Sequence, residues 1–391
     1  MSIKIYITEY TGRILTAVYE NDVLAELWLQ DGEETRVGDI HVGKIKNVVP
    51  NLRAAFVEFA SGKMGYYQPD EHAPVFFLNQ KKNEKMASGD EILVQVAAEP
   101  LKSKEWKLSG RLRFAGQWTV YEPSGSSCSV SAKIRDSETR RRLMALTEHA
   151  DAVSGGWTIR TAAAKAEDDQ ILAEMKAIAA QAQGVMQAAK MRSCYSRVYR
   201  GMSLAQELVL RYAAECSVTT DIKPVYEELS ALFPGMVRLY EDTSWSLLKL
   251  KGLEAELERA LGKAVWLPSG GRLFIEQTEA MTVIDVNSGK AVGKNQREAH
   301  FFRVNTEAVR ESLRQIRLRN LSGIIMIDLI NMKNKEHIDT IAGMLKEQSM
   351  KDPVQTTFVD ITGLQIAELT RKKVRRTLKE QMRKNERNCL T

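Results

Sequence analysis

The sequence predicts a multidomain α+β chain, and three observations carry that prediction. Short strands separated by Gly, Pro, Asn and Ser crowd residues 38–110, the texture of a small closed barrel. An Ala-rich helical stretch runs from about 164 to 192. From 264 onward, apolar strands are joined through long amphipathic helices, which implies an α/β unit with parallel neighbours. At 391 residues the chain has length for two to four domains.

The N-terminal residues read as strands. IKIYITEY alternates, a turn follows near Thr11-Gly12, and RILTAVYE and VLAELWLQ complete a hairpin-like start. In the barrel segment, GDIHVGKIKNVV, AAFVEF, KMGYYQPDE and DEILVQVAAE are the strands. Its aromatics Phe56, Phe59, Tyr66 and Tyr67 suit an OB-type surface on which RNA bases stack. The same rings would serve equally as barrel core, and the pattern leaves both readings open.

Further strands are expected in QWTVYEP, CSVSAKI and WTIRTAA, with a charged helix at 136–149. In the Ala-rich helix, Ile171, Met175, Ile178, Ala182 and Val185 fall at helical spacing. Ser203 and Gln206 form a capping box before LAQELVLRYAAE. KPVYEELSAL and LKGLEAELERAL read as two more helices. The last third then predicts strands in AVWLP, RLFIEQTEA and MTVIDVN. Next come a helix with Phe302, Thr306, Val309, Leu313 and Ile316 on one stripe, and the strand IIMIDLI. A helix at 335–348, the strand VQTTFVDIT and a basic helix end the chain.

Charge is localised. Residues 361–391 hold nine Lys/Arg against three Asp/Glu, which accounts for the whole net charge of +6. A basic helix of this kind either attracts a polyanion such as nucleic acid or presents a solvated face. The four cysteines, Cys128, Cys194, Cys216 and Cys389, form no CxxC pair, which argues against a zinc knuckle or a disulfide framework and fits a reducing, cytoplasmic setting. No run of 18 apolar residues is available to span a membrane. The opening MSIKIYITEY lacks the layout of a secretory leader.

Two strands carry an oddity. In MTVIDVNSGK, alternation puts Asp285 and Asn287 on one face while Ile284 and Val286 take the other. In GIIMIDLINM, Asp328 recurs near the strand end, 43 residues later. If the strands are parallel neighbours, both carboxylates emerge at the carboxyl edge of the sheet, where α/β folds place their sites. Two such carboxylates repel, and a divalent cation removes the conflict. Mg takes one or two protein carboxylates and fills its remaining positions with water and phosphate oxygens. Asp at a strand end also caps turns, so spacing alone leaves metal binding and capping open.

These motifs, taken together, resemble the RNase E/G family of bacterial endoribonucleases. IDVNSGK (284–290) and GIIMIDLINM (323–332) resemble its two signature segments. GDIHVGKIKNVVPNLRAAFVEF (38–59) resembles its S-one-type RNA-binding module. WTIRTAA (157–163), VWLPSGGRLFIEQTEAMTVIDVNSG (265–289) and AELTRKKVR (367–375) follow in the family's order.

The resemblance implies a split RNase H-like domain (1–37 and 207–260), an inserted OB-type S-one RNA-binding domain (38–110), a 5′-sensor domain (111–206) and a deoxyribonuclease-like α/β catalytic domain (261–391). It implies Asp285 and Asp328 as metal ligands for Mg, with Mn as the alternative ion, and Asn287 as the amide positioning the scissile phosphate. Phe56, Tyr66 and Lys104 would contact RNA. Gly116, Val120, Arg160 and Thr161 would sense a 5′-monophosphate.

The chain departs from the family pattern at four places. Asn331 stands where Asp is usual, Glu105 follows the lysine where Gly is usual, and Gln355 replaces a basic residue that supports the sensor. The CPxC zinc link after the basic helix is missing, so structural zinc is not expected. A long disordered tail is not expected either, which is similar to the G-type branch.

The expected activity is cleavage of single-stranded RNA to 5′-phosphate and 3′-hydroxyl ends in rRNA and mRNA processing and decay, by a cytoplasmic protein forming a homodimer or higher oligomer. The alternatives are a non-catalytic RNA-binding or ribosome-associated protein, and a phosphodiesterase of small substrates.

Overall fold

The computed structural model describes residues 2–32, 35–70, 74–79, 85–100, 105–149, 155–212, 216–289 and 297–388. Its architecture is mixed α/β, in two compact units: Met1–Glu33 with Ala214–Thr391, and Glu34–Ala213.

The chain opens with the antiparallel strands β1 (Ile3–Tyr10), β2 (Arg13–Glu20) and β3 (Val23–Gln30). Thr11 and Gly12 both adopt positive φ at the first turn, the geometry that matches the twist of the two strands it joins.

The second unit contains β4 (Ile40–Val49), β5 (Ala54–Ala60), β6 (Lys63–Tyr67), β7 (Glu91–Ala98) and β8 (Trp106–Ser109). These five close into a barrel in the order β4, β5, β6, β8, β7, with β7 pairing back onto β4. The barrel is consistent with an OB-type domain. Ile45, Val57, Phe59, Tyr67, Val94 and Leu108 fill it. Closure depends on β8, whose sequence WKLS carries too little apolar pattern to announce a strand.

A four-stranded sheet follows, built from β9 (Phe114–Ala115), β10 (Thr119–Glu122), β11 (Cys128–Val130) and β12 (Gly156–Ile159). Helix α1 (Ser137–His149) precedes β12 and α2 (Asp168–Ala189) follows it. The predicted stripe of α2 is buried in one cluster with Phe114, Tyr121, Trp157 and Ile159. β13 (Arg197–Tyr199) extends the barrel sheet beside β4. α3 (Leu204–Tyr212) starts on the expected capping box, in which Ser203 N donates to Gln206 Oε1 at 2.8 Å and Gln206 N to Ser203 Oγ at 3.2 Å.

The first unit then resumes. β14 (Cys216–Thr220) lies parallel to β1, and after α4 (Lys223–Leu232) comes β15 (Val237–Leu239), parallel to β14. Together they complete the sheet β15-β14-β1-β2-β3. The expected helix over LKGLEAELERAL is two, α5 (Leu247–Leu250) and α6 (Leu253–Leu261), because Gly252 between them takes φ +58°. α6 buries Leu253 and Leu257 with Leu15, Leu27 and Leu29 of the sheet.

A second sheet completes the unit: β16 (Ala264–Trp266), β17 (Arg272–Gln277), β18 (Met281–Asn287), helix α7 (Arg297–Leu318), β19 (Gly323–Asp328), helix α8 (Lys335–Ser349), β20 (Thr356–Ile361), β21 (Ile366–Arg371) and helix α9 (Leu378–Asn388). The strand order is β16-β17-β18-β19-β21-β20.

Two expectations are corrected in this sheet. The basic stretch TRKKVRRTLKEQMRKNER (370–387) is helical only from Leu378 onward, because its first two residues, Thr370 and Arg371, end β21, which pairs antiparallel with β19 and β20. Its Ala367, Leu369 and Arg371 point inward at period two, a signal hidden by the charge of the run. The inward face of α7 is centred on Val304, Asn305, Ala308, Val309, Ser312 and Ile316, while Phe302, Thr306 and Leu313 lie only part-buried at its border. Polar Asn305 and Ser312 sit in that face, so apolar periodicity alone misplaces it.

Candidate active site

β18 and β19 run parallel, and their register pairs Asp285 with Asp328. Register partners share a face, and neighbouring strands stand about 4.8 Å apart, so the two carboxylates leave the sheet side by side. Ile284 and Ile327, one residue back on each strand, are fully buried on the other face. Asn287 lies on the carboxylate face, and Asp285, Asn287 and Asp328 are all exposed. Across β17, Phe274 stands opposite Asp285 and Arg272 opposite Asn287. The three sequence-predicted residues are therefore gathered at one edge of one open sheet face.

Two amides hold the chain just beyond Asp328. Buried Asn305 of α7 donates from Nδ2 to Ile330 O at 2.8 Å, and its Oδ1 accepts from Ile330 N at 3.0 Å. Gln365, in the turn before β21, donates to Met332 O at 2.6 Å and accepts from Met332 N at 2.7 Å. Asn331 lies between the two clamped residues and is exposed. A peptide that leaves a sheet loses its ladder partners, and these side chains supply replacements.

On the other strand, Asn287 Oδ1 accepts from Gly289 N at 3.1 Å, leaving the amide NH2 as the group able to donate. Gly289 has φ +71°, and a Cβ there would clash with Gly270 O. The SGG turn that joins β16 to β17 is thus packed directly against the loop that ends the signature. Ser269 N of that turn donates to Glu307 of α7 at 2.8 Å.

The donor set fits a hard cation bound partly by water. Asp285 and Asp328 offer oxygen only, without Cys or His, which suits Mg or Mn and not zinc. Among the described residues, no group of three or more His, Cys, Asp and Glu is placed to hold a metal ion. Two exposed carboxylates would leave the remaining positions of such an ion open to solvent.

The other predicted residues lie in the second unit. Phe56 and Tyr66 are register partners on β5 and β6, with ring centroids 5.9 Å apart edge to face. Both are part-exposed on the barrel's outer side, whereas Phe59 and Tyr67 are core. The sheet thereby separates part-exposed rings from core rings, which the sequence left mixed. Lys104 lies outside the described residues.

Gly116 and Val120 flank a tight turn at the start of β10, where Gly116 N donates to Thr119 O. Arg160 Nη1 donates to Gly116 O at 2.6 Å, and Thr161 Oγ1 lies 2.9 Å from Ser131 Oγ. Burial pulls the Arg160 pKa down, opposed by the carboxylates of Glu174 and Glu207. Glu174 braces the turn, its carboxylate accepting from the N–H of Gln117 (2.6 Å), Trp118 (2.9 Å) and Thr119 (2.8 Å) and from the Thr119 hydroxyl (2.8 Å).

Sequence reasoning missed Asn305, Gln365 and Glu174. A polar residue inside the apolar stripe of α7 was the available signal for Asn305. Nothing local marks the other two.

Residues 113–374 match the model of the Ribonuclease E/G family. The chain belongs to the RNase E/G family. Ribonuclease G of Escherichia coli (strain K12) is 30% identical, over 97% of this chain and 81% of that protein. Ribonuclease G of Haemophilus influenzae is 29% identical over 93% of this chain and 78% of its own. Ribonuclease E of Nostoc sp. is 29% identical over 92% of this chain and 54% of its own. Both the candidate active site and the Arg160 turn lie inside the residues that match the RNase E/G model. Among the described residues, no helix is long and apolar enough to cross a membrane.

Proposed function

We propose that this RNase E/G family member is an endoribonuclease that hydrolyses single-stranded RNA with a divalent cation, Mg or Mn, held between Asp285 and Asp328. The observation that carries the reading is the in-register pairing of these carboxylates, with Asn287 on the same open face. Asp285 and Asp328 would hold the cation, which would supply positive charge beside a phosphodiester and lower the pKa of water there. Asn287, its oxygen engaged by Gly289, offers its NH2 to a phosphate oxygen and fixes the scissile group. Asn305 and Gln365 hold the segment after Asp328 so that its carboxylate keeps its aim.

In this reading the products are 5′-phosphate and 3′-hydroxyl ends, in rRNA and mRNA processing and decay in the cytoplasm. Phe56, Tyr66 and Lys104 bind the strand, the two rings by stacking on bases. Arg160 and Thr161, beside Gly116 and Val120, receive a 5′-monophosphate.

The test is incubation of a labelled single-stranded RNA with the protein, with and without Mg, followed by analysis of the product ends. The reading predicts cleavage only with the divalent ion and ends that a ligase requiring 5′-phosphate accepts. Tight, salt-sensitive binding without turnover would point instead to a non-catalytic RNA-binding protein.

A further inference from the structure

Beside the carboxylates, the same sheet face carries an aromatic and cationic group with no part in the chemistry derived above. Trp266 on β16, Arg272 on β17 and Asn287 on β18 are register partners in one row across the sheet. The Arg272 guanidinium lies over the Trp266 ring, 4.9 Å from its centroid, and 5.4 Å from the centroid of Phe274. Trp266 is nevertheless 69% exposed. An indole left so open gains little from folding, since its apolar surface stays in water. Its arginine covers one side and holds it against the sheet by cation–π attraction.

We propose that Trp266, backed by Arg272, is a stacking platform for a nucleobase of the RNA strand next to the scissile phosphate, a proposal that rests on the reading of Asp285, Asn287 and Asp328 as the cleavage site. Two observations choose this occupant. The row ends on Asn287, so Trp266 stands about 10 Å away, two strand spacings, on the face where the phosphate is bound. The platform also pairs a π surface with a fixed positive charge, the combination that single-stranded nucleic acid binds through its bases and its backbone. Stacking is tolerant of base identity, so the platform contributes grip close to the cut more than sequence choice.

The experiment uses the full chain carrying Asp328→Asn, which keeps RNA intact, and titrates in a short single-stranded oligoribonucleotide. The proposal predicts quenching of tryptophan fluorescence that tracks binding, and its loss in the added Trp266→Phe variant, which still binds. Trp266→Ala weakens binding roughly tenfold, the lower-middle range for one stacked base. Unchanged affinity in Trp266→Ala, or quenching that survives Trp266→Phe, overturns the platform. So does a change in oligomeric state with RNA affinity unchanged, which would make Trp266 a subunit contact. Full cleavage by Asp328→Asn overturns the assignment of the cleavage site, a failure separate from that of the platform.

Discussion

Asn305 and Ile330 exchange two hydrogen bonds, the Asn305 amide donating to the Ile330 carbonyl and accepting from its N–H. A fully buried side chain of α7 thereby replaces the sheet partners that the chain loses two residues after Asp328. Replacing it by Ala leaves both backbone groups unpaired, at a cost of about 1–3 kcal/mol. Asn305→Ala is therefore expected to lower stability by that amount in urea unfolding. It should also reduce RNA cleavage by more than the fraction unfolded, because the Asp328 segment relaxes. Cleavage that follows folded fraction alone would make Asn305 purely structural.

Gly289 is expected to tolerate no side chain. At φ +71° and with Gly270 O in the way of a Cβ, Gly289→Ala must shift the loop that follows Asn287 and is hydrogen-bonded to it. A displacement on the order of 1 Å at a positioning group costs about 100-fold in rate. Steady-state kinetics on a single-stranded RNA, read beside circular dichroism to verify the fold, checks this.

Glu174 holds three consecutive backbone N–H groups at the turn before β10. Hydrogen bonds to a charged group contribute about 1.5–3 kcal/mol each, so Glu174→Ala should free the turn locally. If the turn helps Arg160 read a 5′-monophosphate, the rate ratio between monophosphorylated and triphosphorylated RNA falls toward one in this variant. A ratio that stays as in the parent separates Glu174 from sensing.

His41 on β4 supplies a pH signature for the second unit. Burial pushes its pKa down to about 4, with Asp39 opposing and Arg197 assisting. In the unfolded chain it titrates near 6.5, so the unfolded state binds more protons between these values. Its contribution is present in full above pH 6.5 and is lost as pH falls toward about 4, on the order of 3 kcal/mol. Unfolding followed across that range should show stability declining, and His41→Gln should flatten the decline. An unchanged slope would show that other groups carry it.

Much of this could be read from the residues. Period-two alternation placed Asp285 and Asn287 together, and the intervening helix implied the parallel register with Asp328. The spacing of Ile171 through Val185 fixed the inner face of α2. What failed did so where long-range pairing outweighs local pattern. Residues 366–371 carry no apolar run that would mark a strand, yet they fill the slot between β19 and β20. β8 is likewise made a strand by the barrel it closes. Asn305, Gln365 and Glu174 answer backbone groups brought near only by the fold, so their partners are invisible to sequence spacing.

In the proposed reaction Asp285 and Asp328 act together through a divalent cation. Rates of single-stranded RNA cleavage by the parent, Asp285→Asn and Asp328→Asn, each across a Mg titration, test it most directly. Loss of the ion's stabilisation, several kcal/mol, predicts a fall of at least about 100-fold for either variant, with neither restored fully by saturating Mg. Cleavage by either variant at the parental rate and Mg dependence would contradict it.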